Sequence, residues 1–363
     1  MQERAPSILF ILPYPLGKAP SQRFRVEQFL PLLDESNISY QLACFMDDST
    51  WKVLYSKSSV IQKAWGITKG YFKRWKHVLI DVHHHDVVFV HREAAPLGPP
   101  LFEWIVSKLW RKKLIYDFDD AIWIPNTTSE NYLVRYFKAF WKVEKICKWA
   151  SAVTAGNHFL AAYARQSGAQ NVIYLPTVVD TENRYLPNPI KKANKIPVIG
   201  WTGSHSTLKY LDELLPVLQA LEKEFEFVFL VIANKDPRLP LKQYKFIKWN
   251  EATEIKDLQQ IDIGVMPLTA DLWSEGKCGF KLIQYMALGI PAVASPVGVN
   301  KDIIEDGYNG FLAHSVNEWQ GKLSLLLLDP LLRASIGKAG IATINEFYSL
   351  RSQEEKFLNL IRN

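Results

Sequence analysis

The chain has 363 residues, 48% hydrophobic and 22% charged, a soluble globular composition with length enough for two ordinary domains rather than one. Its three cysteines, Cys44, Cys147 and Cys278, lie far apart with no CxxC spacing, which argues against a disulfide framework or zinc site and fits a reducing cytoplasm. The formal net charge is +6, and the excess is concentrated in one stretch rather than spread along the chain.

Ser7–Leu12 is too short for a signal peptide's apolar core or for a span, and the later run from Leu323 to Leu332 is broken by Asp329 and Pro330. No transmembrane helix is expected. Ile8–Leu12 reads instead as a buried strand. The loop after it, 13–25, opens a helix predicted over Arg23–Leu33. Gly17 gives that loop freedom, Ser21 can cap the helix, and Arg23 and Arg25 bring positive charge. A strand over Tyr40–Phe45 follows.

The basic stretch comes next. From Trp51 to Leu79 stand Lys52, Lys57, Lys63, Lys69, Lys73, Arg74 and Lys76 with no Asp or Glu. Trp51, Tyr55, Trp65, Tyr71, Phe72 and Trp75 are interleaved with them. Such a stretch suits an anionic membrane surface. The plain alternative is a solvated helix pair whose aromatics pack on the domain. Nucleic acid is not expected, since no motif supports it. His83, His84 and His85 precede a strand, where successive side chains diverge, so they read as solvated residues rather than a metal site.

Strands over Val87–Val90 and Leu114–Tyr116 both end on polar groups. His91 and Arg92 follow the first; Asp117, Asp119 and Asp120 follow the second. Three acids in four residues repel one another, which argues for a chemical role such as a general base, a metal ligand or hydroxyl binding. Asp117, Asp119, Asp120 and Arg92 are the catalytic candidates, with His91 and Arg92 as partners for the acids. The plain alternative has Asp117 capping a helix and pairing with Arg92. A helix over Glu130–Trp149 and strands over Ala152–Thr154 and Val172–Tyr174 complete this half.

A polar, proline-bearing run, 187–195, precedes a fresh buried strand at Val198–Trp201. The expected division is 1–190, 191–345, and a C-terminal helix within 346–363 that packs back on the first domain, with Ser352 and Glu355 as a capping box. Further strands are predicted over Phe227–Ile232, Phe246–Lys248, Ile263–Met266, Ala292–Ala294 and Phe311–Ala313. Helical patterns cover Leu208–Phe225, Lys281–Leu288 and Glu318–Leu328. Most strands are β-branched and aromatic with little polar alternation, as in parallel sheets covered on both faces. The fold class is therefore α/β, two doubly wound Rossmann-like domains whose strand ends would face one central cleft.

Two loops of the second half carry phosphate-binding character. After Val198–Trp201, Gly203 permits close backbone approach, Ser204, Ser206 and Thr207 can donate or cap, and Lys209 adds charge. After Ile263–Met266, Gly276 and Gly279 lead into a helix that should stop at Gly289. If that helix starts near Lys277, then Lys277, Lys281 and Gln284 share one face, and two cations at a helix start form a diphosphate site.

The stretch Gln284–Val293, with Met286, Ala287, Gly289 and Pro291, resembles the signature region of the retaining glycosyltransferases of family 4 (glycosyltransferase group 1), which have the GT-B fold. Asp306–Leu312 resembles that family's following loop and strand. The resemblance implies transfer of a sugar from a UDP- or GDP-linked donor to a glycan or lipid-linked acceptor, with retention and without cofactor or metal. The Asp117-Phe118-Asp119 spacing is that of the metal-binding motif of the other large transferase fold, but the duplicated α/β layout argues against that fold. The resemblance further implies that Gly203, Ser204, Lys209, Glu275, Lys277, Lys281 and Gln284 hold the donor. It places the loop bearing Gly17, Ser21, Arg23 and Arg25 on the acceptor side. The family's two glutamates are missing: Gly276 and Gln284 stand there, with Glu275 one residue from the first. Two other readings stay open, a degenerate non-catalytic binder of a glycan or partner, and a nucleotide-sugar epimerase.

Overall fold

The computed structural model describes residues 5–54, 59–125, 138–188 and 196–362. It divides into two compact units, 1–177 with 353–363, and 178–352. The boundary expected from the sequence is 190/191; residues 189–195 of the run that suggests it lie outside the described residues, as do Tyr55, Lys57 and the first part of the helix expected over Glu130–Trp149.

The first unit is a six-stranded parallel sheet of β1 (Ile8–Leu12), β2 (Tyr40–Cys44), β3 (Val87–His91), β4 (Lys113–Phe118), β5 (Ala152–Ala155) and β6 (Val172–Tyr174), ordered β2-β1-β3-β4-β5-β6. Every residue of β1 and β3 is buried, as a central strand covered on both faces requires. The second unit repeats the plan with β7 (Val198–Gly203), β8 (Val228–Ala233), β9 (Tyr244–Lys248), β10 (Ile263–Met266), β11 (Ala292–Ala294) and β12 (Phe311–Leu312), ordered β12-β11-β10-β7-β8-β9. Strand order reverses between β1 and β3 in one sheet and between β7 and β10 in the other, with all strands parallel. Ligands of doubly wound sheets bind beyond the strand C-termini at such points.

In the first unit α1 (Pro20–Arg25) follows β1, and α2 (Val60–Leu79) lies between β2 and β3 in the chain. Gly70 lets α2 lie close, since a Cβ there would collide with the Phe45 ring. Arg74, counted in the basic stretch, is fully buried and donates to the carbonyls of Ala94 (2.7 Å), Ala43 (2.9 Å) and Leu12 (2.9 Å). It ties the ends of β1 and β2 to the loop after β3, and burial pulls its pKa down to about 10. It is a structural residue, not a surface cation.

In the second unit α3 (Phe280–Ala287) begins after Gly279, whose φ of +66° suits glycine. It ends in a Schellman motif: Gly289 (φ +72°) donates to the Met286 carbonyl (3.0 Å) and Ile290 to that of Tyr285 (2.9 Å). The last helix, α4 (Leu350–Arg362), is capped by Ser349, whose Oγ accepts from the Ser352 amide at 3.1 Å. The expected Ser352 cap is thus one turn too late. Phe357 of α4 stacks on Phe29 at 4.2 Å, and Lys113 donates to the Leu360 carbonyl at 2.9 Å, within the first unit. Among the described residues no helix is long and apolar enough to cross a membrane.

Candidate functional site

In the first unit, parallel register sets His91 of β3 beside Asp117 of β4, and Asp117 beside Thr154 of β5. One row thus presents an imidazole, a carboxylate and a hydroxyl on a single face. His91 Nδ1 lies 2.7 Å from Asp117 Oδ2, and Thr154 donates to Oδ1 at 2.7 Å. Arg25 descends from α1 to ion-pair with Asp117 through Nη2, donates from Nε to Oδ2 at 3.3 Å, and donates to the Leu175 carbonyl. Burial by itself would raise the Asp117 pKa, but the Arg25 guanidinium and His91 hold it well below the usual carboxylate range.

This corrects two expectations. Asp117 is wholly buried, with both oxygens occupied, so it is an anchor at the strand end rather than a group open to a ligand. Its partners are Arg25, His91 and Thr154 rather than the Arg92 side chain. Arg25, at 1% exposure, offers no charge to a ligand, and Arg23 is buried with its guanidinium 5.0 Å over the Phe24 ring.

The network continues outward. His91 Nε2 is 2.9 Å from Ser21 Oγ, and Ser21 donates to Asp119 Oδ1 at 2.6 Å. Arg92 lies 3.7 Å from Asp119 and 3.8 Å from Asp120 through its two terminal nitrogens. Burial would raise the Asp119 pKa, but the charges of Arg92 and His91 lower it. Arg92 sits at φ +63°, held there by its amide donating to the Asp117 carbonyl (2.7 Å) and its carbonyl accepting from Tyr116 (2.8 Å). Ser21 is not the helix cap: α1 starts at Pro20 with Ala19 at the cap position. Gly17 (φ +73°) donates its amide to Glu27 at 2.9 Å. Ser21, His91 and Asp117 follow the order of a hydrolytic triad, yet the serine hydrogen is committed to the Asp119 carboxylate. The arrangement positions Asp119 rather than activating a nucleophile. Asp119, Asp120 and Arg92 remain partly accessible.

Among the described residues no group of three or more His, Cys, Asp or Glu side chains is placed to hold a metal ion. His83 packs edge-on against Trp110 and His85 lies 2.9 Å from the Asp81 carbonyl.

In the second unit α3 starts at Phe280, so Lys277 precedes it and the shared face of Lys277, Lys281 and Gln284 does not form. Lys277 lies on the turn, its Nζ 4.7 Å over the Trp273 ring. Lys281 occupies the first helical turn, its Nζ 5.4 Å over the Trp201 ring. Trp201, from β7, is fully buried and fills the space where a Cβ on Gly203 would stand. Gly203 and Lys281 therefore meet at one tryptophan. Ser204 shares a hydrogen bond with Ser206 (2.8 Å) and its carbonyl accepts from Thr207 (3.0 Å). Lys209 is exposed, 5.1 Å over the Tyr210 ring. Burial would raise the Asp271 pKa, but hydrogen bonds from Thr269 and Ser274 and, least, the Lys209 charge lower it. Tyr210 and Ser274 hydroxyls are 3.1 Å apart, which links the loops after β7 and β10. Glu275 ends the short helix Leu272–Glu275, its backbone against Gly298.

Gln284 is the exception. It is buried, donating from Nε2 to the Tyr185 hydroxyl at 2.8 Å and approaching Glu254 Oε1 at 3.5 Å. Trp249 donates to the same Glu254 oxygen at 3.2 Å. The amide nitrogen is thus committed to protein acceptors rather than to a ligand. Tyr185, Trp249 and Glu254 carry no motif, and only the folded chain brings them to Gln284. Gln284→Glu should cost about 1–3 kcal/mol by setting two buried carboxylates together. The new carboxyl would titrate above its unfolded value, so the loss should be larger at pH 8 than at pH 5. Thermal unfolding at both pH values reads this; equal melting temperatures for variant and parent would refute it.

Residues 196–329 match the family described as Glycosyl transferases group 1. No curated protein matches the sequence. Among solved structures, the chain is similar to sucrose-phosphate synthase from Thermosynechococcus elongatus, with 14% identity over 99% of this chain and 98% of that one and a TM-score of 0.70. It is similar to HepE from Anabaena in complex with UDP and glucose, with 17% identity, 98% of each chain and a TM-score of 0.66. It is also similar to the lipopolysaccharide outer core galactosyltransferase WaaB, with 17% identity, 98% of this chain, 99% of that one and a TM-score of 0.61. The chain thus has the GT-B fold, and its second unit carries a glycosyl transferases group 1 domain.

Proposed function

We propose that the protein is a glycosyltransferase of family 4 that moves a sugar from a UDP- or GDP-linked donor to a glycan or lipid-linked acceptor, with retention, at the cytoplasmic face of a membrane. The observation that carries the reading is Lys281 in the first turn of α3, over the Trp201 ring that also packs on Gly203, inside the segment that matches the family. Lys281, Lys277 and Lys209, with the helix-tip amides, would hold the departing diphosphate, where negative charge develops. The reading needs no metal for that step. UDP and glucose in the similar HepE structure support a UDP-linked donor, and the name of WaaB supports a lipid-linked acceptor. In the first unit Asp119 and Asp120 would orient the acceptor hydroxyl; a carboxyl held ionised, as Asp119 is, accepts hydrogen bonds well but is a weak base.

Gln284, taken up by Tyr185 and Glu254, favours a second reading, a non-catalytic binder. Radiolabelled nucleotide sugars, supplied singly with and without lipid-linked acceptors, separate the two. Transfer from one donor is the expected result. No turnover and no donor binding at millimolar concentration would leave the binder. Free UDP with an altered sugar configuration would indicate an epimerase.

A further inference from the structure

The 20-residue helix α2 has two faces of unusual character. Gly66, Gly70, Arg74 and Val78 follow one another at four-residue steps and turn inward. On the opposite side Ile61, Trp65, Phe72, Trp75 and Leu79 recur at helical spacing, exposed by 81%, 67%, 70%, 37% and 46%. A helix that covers a sheet normally shows water a polar face. A contiguous exposed apolar stripe marks an interaction surface.

The charge beside the stripe identifies the partner. Lys76, Lys69 and Lys73 follow it round the helix along one edge, and no acid occurs between Trp51 and Leu79. Lys69 and Lys73 pair with Asp47 at 2.6 and 3.2 Å, and Lys76 with Asp81 at 3.8 Å. All three lysines are more than a third exposed, so these pairs are weak and can be exchanged for lipid phosphates. Tryptophan and phenylalanine along a lysine-edged helix suit the headgroup boundary of a bilayer.

We infer that the outward face of α2 docks the protein on an anionic membrane, lying on the bilayer rather than crossing it. This deepens the lipid-linked acceptor of the preceding reading and rests on it, but its test needs no transfer.

The full chain, without donor, is sedimented with vesicles of phosphatidylcholine alone or with phosphatidylglycerol. Binding to the anionic vesicles, weakened by salt, is expected. Trp65→Ser with Phe72→Ser should lower it by about 100-fold, as the loss of two inserted aromatics implies, with circular dichroism unchanged. Lys69→Gln with Lys76→Gln should reduce it while sparing residual binding to neutral vesicles. Absent binding, equal binding to neutral vesicles, or an unaffected serine double variant would overturn the inference. So would a dimer that the serine variant converts to monomer with no vesicle binding in the parent. Sugar transfer to a soluble acceptor is measured separately: its failure would sink the transferase reading and leave vesicle binding standing.

Discussion

Asp117→Ala should destabilise the first unit by about 3–5 kcal/mol, because it leaves the Arg25 guanidinium buried without its counter-charge. Thr154 and His91 would also lose the oxygens they contact. Asp117→Asn should cost nearly as much, since size is kept but charge is not. Adding Arg25→Met to Asp117→Asn should cost less than the two changes separately, as coupled neighbours do. Denaturant unfolding of the full chain, read by a fluorophore in the first unit, measures all three. The same carboxyl imposes a pH dependence. Its folded pKa lies below the unfolded value of about 3.9, so its contribution is complete above about pH 5 and fades as pH falls toward the folded value. A loss under about 1 kcal/mol for Asp117→Ala would mean that the pair is solvated.

The strands were legible because their chemistry is local. Ile8–Leu12, Val172–Tyr174, Ile263–Met266 and Ala292–Ala294 form strands over the very residues expected, each a short run between breakers. What joins strands was not legible. That His91, Asp117 and Thr154 share one row depends on register, and register is set by packing across three separate segments. Without it, an acid at a strand end looks catalytic when it is an anchor. The basic stretch shows the same limit: Arg74 counts as a surface cation until three backbone carbonyls from separate segments are found around it. Helix starts mislead for a different reason. Periodicity carries the α3 pattern back to Lys277, but a left-handed Gly279 cannot belong to a helix, and this moves Lys277 onto a turn. Gly279 itself is the signal: a glycine at positive φ stops the helix pattern there and leaves the lysine before it outside the helix.

Lys281→Ala should lower kcat/KM for the donor by about 10²–10³-fold, equivalent to about 2.7–4 kcal/mol, if Lys281 meets the charge that develops on the leaving diphosphate. The expectation rests on where the side chain is held. Trp201 is immobilised in the core, and Lys281 lies over its ring near the first turn of α3, where backbone amides point the same way. The stability cost should be small, since a cation over a ring contributes about 0.5–1 kcal/mol at a partly exposed site. Stability and activity therefore part company in this variant, in contrast to Asp117→Ala. Lys281→Arg keeps charge but not the compact ammonium, so it should recover only part of the loss. Lys277→Ala should have a smaller effect, because its lysine sits on a turn over the half-buried Trp273 instead of on the helix. Binding of UDP alone, followed by calorimetry at two salt concentrations, supplies the independent readout: the parent should lose affinity with salt more steeply than Lys281→Ala. Equal affinity and equal salt slopes in the two proteins, with unchanged turnover, would remove the tip of α3 as the diphosphate site.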